Sequence, residues 1–133
     1  MKKIICILLL FCFVTICFTS CTSLESCEKN LGKDYEIDIY DEDEIENFVK
    51  KFNDDYEISA IMEVKNKDKD KNKEYSTYII QCGSSKKAEE LARIYRMSTG
   101  IVNAAYSSDV SVDTDGKFVF FGDEAIINKA LNK

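Results

Sequence analysis

The chain opens on an unbroken apolar run, Ile4 to Phe18, behind Lys2 and Lys3, and the run gives way to Thr19-Ser20-Cys21. Its fifteen apolar or near-apolar residues are too few to span a bilayer comfortably, which takes about 20. A charged start, a short apolar core and small residues behind it make the pattern of a secretory signal peptide. From Thr22 to about Lys33 the residues are mostly small or polar, without apolar periodicity. That stretch reads as a tether reaching at most about 40 Å.

Periodicity begins at Tyr35. Tyr35-Glu36-Ile37-Asp38-Ile39 alternates apolar and acidic, as a half-buried strand does. Asp41 with Glu44 matches a capping box, and Ile45, Phe48, Val49 and Phe52 then fall on one helical stripe. From Glu57 to Val64 the period is two, with Ile58, Ala60, Met62 and Val64 on one face. Tyr75 to Cys82 is a second β-rich run. Gly83-Ser84-Ser85 starts another helix under a hydroxyl cap, with Ala88, Leu91, Ala92 and Tyr95 as its stripe. Gly100 ends it, or Ile101 to Tyr106 carries it further. Val110-Ser111-Val112 and Lys117 to Phe121 flank Thr114-Asp115-Gly116, a hairpin signal. Asp123 caps a last helix with Ile126, Ile127, Ala130 and Leu131.

The order β-α-β-β-α-β-β-α predicts an α+β fold, an antiparallel sheet of four to five strands with helices packed on it. Residues 34–133 form this single domain, after a signal peptide over 1–20 and the tether over 21–33. One strand is apolar on both sides: Phe118 and Phe120 point one way, Val119 and Phe121 the other. Such a strand is covered on both faces or sticky on one. Either the last helix or the N-terminal strand covers the second face, or that face binds a partner or ligand through Val119, Phe121 and a tyrosine such as Tyr75.

Removing residues 1–20, which hold two lysines and no acid, leaves 113 residues and takes the net charge from −6 to −8. That length is one domain. An acidic domain does not bind nucleic acid by counterion release, and its own field would not draw it to anionic lipid. An N-terminal lipid would have to do the anchoring.

Phe18-Thr19-Ser20-Cys21 resembles the lipobox of bacterial lipoproteins, although Phe18 stands where leucine is usual. The resemblance implies that Cys21 is diacylated and becomes the first residue of the mature protein. An ordinary cleaved signal peptide ending near Ser20 and an uncleaved N-terminal anchor are the alternatives. The helix-plus-hairpin pattern ending in Gly-Lys-Phe-Val-Phe-Phe-Gly-Asp is similar to small envelope lipoproteins of low-GC bacteria. This resemblance implies an exported protein held at the cell membrane or outer envelope.

Of the six cysteines, Cys6, Cys12 and Cys17 lie within the signal peptide and Cys21 takes the lipid. Cys27 and Cys82 remain. In an oxidising compartment they could pair. Otherwise Cys82 is a small core hydrophobe and Cys27 a free thiol near the membrane.

Candidate chemistry is sparse. The absence of histidine removes Ser-His and Cys-His pairs and histidine metal ligands. Asp113-Thr114-Asp115-Gly116 resembles part of a calcium loop, but the position for the bidentate acid is Gly122. A hairpin turn explains the same residues. Lys65 to Glu74, with five lysines and three acids, reads as a solvated connector whose alternating charges neutralise one another at distance. No catalytic residue, metal or cofactor is expected. The reading is a membrane-anchored envelope lipoprotein with a binding or structural role, whose partner would be an envelope protein or polymer. A small envelope enzyme and a soluble secreted factor are the other two classes.

Overall fold

The computed structural model describes residues 22–73, 75–106 and 109–133, with backbone alone at 102 and 104–106. The signal peptide and Cys21 lie outside the described residues. The fold is α+β: five strands form one antiparallel sheet, with helices on both sides. Helix α1 (Leu24–Leu31) is followed by β1 (Tyr35–Ile39), α2 (Glu42–Val49), β2 (Ala60–Asn66) and β3 (Thr77–Gln81). Then come α3 (Ser85–Tyr106), β4 (Val110–Asp115), β5 (Phe118–Asp123) and α4 (Glu124–Ala130). The strand order is β1-β2-β3-β5-β4.

The centre of the sheet is apolar through its thickness. Ile79 and Ile80 are adjacent in β3 and both wholly buried, one in each of two cores. Opposite them in register stand Phe120 and Val119 of β5, equally buried. On the first face Met62, Val64, Ile79, Phe118 and Phe120 meet α1 and α4. On the second, Ile61, Ile80 and Val119 meet Ala88, Leu91 and Ala92 of α3, with Ile45 and Phe48 of α2 at the margin. The last helix thus covers the Phe118 and Phe120 side, and the Val119 side is closed by α2 and α3.

The stretch expected to be a tether is folded. Ser23 and Ser26 cap α1 reciprocally: the Ser23 hydroxyl accepts from Ser26 N at 3.1 Å, and Ser26 Oγ accepts from Ser23 N at 3.0 Å. Leu24, Cys27 and Leu31 sit on one helical face, and Cys27 and Leu31 are wholly buried against α4 and the sheet. Three contact residues, one of them a cysteine, make too short a stripe to register as periodicity. Asn30 Nδ2 also donates to the Ala130 carbonyl at 2.8 Å.

Local signals elsewhere hold. The Asp41–Glu44 capping box forms with both bonds at 2.9 Å. Ser84 Oγ accepts from Lys87 N at 3.2 Å and starts α3, which runs through Gly100 to Tyr106. Gly116 takes φ +57° as the first residue of a two-residue turn between Asp115 and Phe118, the glycine-first hairpin type. Gly122 takes φ +142°, and a Cβ there would lie 2.5 Å from Thr77 Cα. That close approach lets Thr77 Oγ1 accept from Asp123 N at 2.9 Å.

Cys27 and Cys82 are both free and buried, and they belong to the cores on opposite sides of the sheet. The pairing weighed from sequence is corrected: a five-stranded sheet separates the two sulfurs.

Leu31→Ala discriminates a docked helix from a tether. Cutting back a wholly buried leucine should cost about 2–5 kcal/mol, read as a lower urea midpoint at unchanged slope. Phe120→Ala should cost about 3–5 kcal/mol on the same face. A Leu31 loss near zero would show that α1 contributes nothing to the fold.

Candidate functional site

The second face carries an almost closed circuit of aromatic rings. Tyr78 of β3 and Phe121 of β5 are cross-strand partners. Tyr95 of α3 stacks on Phe121 with centroids 4.4 Å apart and planes at 18°. Phe52 meets Tyr95 edge-on at 6.3 Å, Phe48 lies 5.4 Å from Phe52, and Phe48 returns to Tyr78 at 6.5 Å. Tyr56, buried, adds an edge-on contact to Phe52 at 5.8 Å. The five rings of the circuit are half-buried, so each gives one side to the core and part of the other to solvent. Such offset and edge-on pairs contribute about 0.5–1.5 kcal/mol each beyond the area they bury.

A polar cluster closes one end. Glu63 of β2 accepts from Tyr40 Oη at 3.1 Å and from the Ser76 hydroxyl, and pairs with Lys65 Nζ at 3.1 Å. Burial alone would raise the Glu63 carboxyl; the donors of Ser76, Lys65 and Tyr40 more than offset it and hold it below the ordinary range. Burial pushes the Tyr40 phenol up, and Tyr78 and the Glu63 carboxylate push it further. The Tyr40 phenol therefore stays protonated across the physiological range and presents its hydroxyl beside the ring circuit.

Helix α2 forms the rim of this region, and none of its residues is buried. Its first turn is acidic, with Glu42, Asp43 and Glu44, which complements the helix dipole.

A second cluster lies near the start of α4. Lys73 Nζ bridges Asp109 Oδ2 at 3.0 Å and Asp123 Oδ2 at 2.8 Å, and sits 6.0 Å from the Tyr75 ring centroid. Asp123 also caps α4, accepting from Ala125 N at 2.8 Å. An open cavity of about 270 Å³ is lined by Lys73, Asp109, Asp123, Glu124, Ala125 and Asn128. The Tyr75 hydroxyl is buried without a hydrogen-bond partner among the described residues. The lysine-rich segment is thus more than a solvated connector. Lys73 ties it to the α4 end, and Asn72 closes it by accepting from Asn66 N at 2.8 Å and donating to Asn66 O at 2.9 Å.

Of the binding face drawn from sequence, Val119 drops out and Phe121 remains as a half-buried member of the ring circuit. Val119 is wholly buried beneath α3, and Phe121 is stacked under Tyr95. Tyr75 lies beside Lys73, away from both. What stays partly open on that face is the ring circuit, and its members Tyr78, Phe48, Phe52 and Tyr95 were legible as apolar positions but not as neighbours. Burial pushes both the Cys27 and the Cys82 thiol up to about 11, so neither is a thiolate at neutral pH. Among the described residues no three of the cysteine, aspartate and glutamate side chains gather where they could hold a metal ion. The Asp113–Gly116 stretch is hairpin: Asp113 Oδ2 pairs with Lys133 Nζ at 2.6 Å. The chain matches no protein-family model, no curated protein and no solved structure.

The Lys73 bridge makes a pH prediction. Burial raises the Asp123 carboxyl, and Lys73 with the Ala125 and Ile126 amides more than offsets it, so the carboxyl is held low. Its stabilisation is complete above an unfolded aspartate value of about 3.9 and fades as pH falls through the lower folded value. The hydrogen-bonded carboxylates of Asp123 and Asp109 push the Lys73 ammonium up, so its share is complete below about 10.4 and fades as pH rises beyond. Wild type should melt above Lys73→Met throughout the neutral range, and the gap should close as pH drops below about 4. A gap undiminished in acid would show that Lys73 acts through its methylenes rather than its charge.

Proposed function

We propose that this chain is exported, anchored by lipid on Cys21, and acts at the cell envelope by binding rather than by catalysis. One observation carries the reading: two lysines, a short apolar run and Thr19-Ser20-Cys21 stand directly before a fold that begins at Leu24. Only Thr22 and Ser23 separate the cysteine from the first helix. Among the described residues no helix is long and apolar enough to cross a membrane. Two acyl chains on Cys21 would give stable anchoring where a single chain binds only marginally.

The binding role is supported by the half-buried ring circuit of Phe48, Phe52, Tyr78, Tyr95 and Phe121, with the Tyr40 hydroxyl and Glu63 at its end. Aromatic faces beside fixed polar groups are common on recognition surfaces. The ligand would be an envelope protein or polymer, and nucleic acid is disfavoured by the net charge of −6.

Metabolic labelling with a fatty acid should tag the wild-type chain, and Cys21→Ser should abolish the tag and move the protein to the aqueous phase of a detergent separation. Undiminished labelling of the serine variant would rule out lipidation at this position.

A further inference from the structure

Strand β1 forms one edge of the sheet. At the two ends of its pairing with β2, Tyr40 N donates to the Ile61 carbonyl and Lys67 N to the Asp34 carbonyl, both at 3.0 Å. Ladder bonds in an antiparallel pair alternate along the strand. Asp34, Glu36, Asp38 and Tyr40 therefore turn their backbone groups to β2. The N–H and C=O groups of Tyr35, Ile37 and Ile39 point the other way, out of the sheet. β1 lies along β2 and along no other described element. Such a row of outward ladder groups is a template for a further strand, and edges are ordinarily blunted by a bulge, a proline or a lysine. β1 pairs in unbroken register and holds neither residue. The opposite edge differs. On β4 the Val110 carbonyl accepts from Asn103 Nδ2 at 2.9 Å, and Thr114 N donates to Asp113 Oδ1 at 2.8 Å.

The side chains of β1 sort by face. Tyr35 and Ile37 pack against the first core, and Ile39 follows them on that face with 53% of its surface exposed. Glu36 and Asp38 alternate with them and share the second face with Tyr40. Asp38 stands directly opposite Glu63 of β2, and like charges in that position are destabilising. The acidity continues past the strand. Residues 34–49 hold eight of the chain's 24 acids and none of its 18 bases, which leaves 16 acids against 18 bases elsewhere. The net negative charge of the chain thus comes from β1, α2 and the turns beside them.

That charge selects the occupant of the edge. A second copy pairing antiparallel through its own β1 about Ile37 would set Glu36 of each copy opposite Asp38 of the other. An acidic polymer would be repelled in the same way. A strand with basic side chains on the second face meets the opposite condition, because one beside Asp38 offsets the repulsion from Glu63. The chain uses that pairing itself one position along the same face, where Lys65 of β2 stands opposite Glu36.

We propose that the outer edge of β1 takes up an extended segment of a partner protein as a sixth strand, with basic side chains beside Glu36 and Asp38 alternating with apolar ones beside Tyr35, Ile37 and Ile39. In strand addition, main-chain hydrogen bonds hold the segment and its alternate side chains give selectivity. The edge needs neither a lipid on Cys21 nor the ring circuit, so this inference is independent of both.

The purified full chain, in non-ionic detergent, is titrated with a short capped peptide of alternating lysine and valine, and amide hydrogen exchange is followed residue by residue. Three control peptides are used: one of the same composition with its lysines in a single block, one of alternating glutamate and valine, and the alternating lysine peptide N-methylated throughout. Exchange at the Tyr35, Ile37 and Ile39 amides should slow by at least about tenfold with the alternating lysine peptide, and none of the controls should slow it. Asp38→Asn changes an exposed side chain and should weaken binding of that peptide by about two- to fivefold. Equal slowing by the block or the N-methylated peptide would reduce the effect to charge attraction and overturn strand addition. Equal slowing by the glutamate peptide, or an affinity that Asp38→Asn leaves unchanged, would remove the charge selection and overturn the proposal as well. Three amides already slow without peptide that quicken on dilution would place a second copy on the edge and overturn it. Amides that the alternating lysine peptide leaves fast overturn it outright.

Discussion

Everything in this fold follows from two central strands that are apolar on both sides. Ile79 and Ile80 in β3, and Val119 and Phe120 in β5, leave no face of the sheet that water could wet. Burying a side chain of this size contributes about 1.5–3 kcal/mol, so both faces demand helices. The chain supplies them in opposite ways. The first face receives the two terminal helices, α1 and α4, which also pack on each other. The second receives the two internal helices, each inserted between strands. Closing the first face therefore depends on residues that directly follow Cys21, and a domain trimmed at Tyr35 would leave Met62, Val64 and Phe120 partly bare.

The second face is finished less tightly than the first. α3 buries Ala88, Leu91 and Ala92 completely, whereas α2 buries no residue and rests on the half-buried Ile45 and Phe48. Segments with few buried apolar contacts open at lower free energy than the core around them. The ring circuit lies under that less secured helix, which places the most adaptable packing of the domain next to its most recognition-like surface. The Tyr40–Glu63 bond fixes the strand side of the region while the helix side keeps its freedom.

How much of this was legible in the sequence varied with how local the cause was. Strand β1, the Asp41–Glu44 cap, the Ser84 start of α3 and the Gly116 turn all depend on residues within four positions of one another, and all appear where the pattern puts them. The α1 helix was missed because its stripe is only Leu24, Cys27 and Leu31, and cysteine carries little weight as an apolar marker. The start of β2 was placed too early because Glu57 takes φ +50° and delays the extended run to Ala60. The candidate site was hardest to read. Which ring meets which depends on β3 pairing with β5 across the intervening α3 and β4, and no local period encodes that. Likewise, Lys73 is one of five lysines in its segment, and nothing near it in sequence distinguishes it until Asp109 and Asp123 arrive from the far side of the chain.

The separation of the two buried cysteines has a consequence for how the chain reaches this structure. Neither sulfur has a partner on its own side of the sheet among the described residues, so the native state requires no covalent oxidation step. The sequence also contains no proline, so prolyl isomerisation, which takes tens of seconds or longer, has no bond to act on. With both slow steps missing, the pace of folding is left to the distant strand pairings, above all β3 with β5, a class of event completed in about milliseconds to seconds. Among the described residues the fold is thereby held by packing, hydrogen bonds and ion pairs alone, with no step that calls on an isomerase or a thiol oxidant.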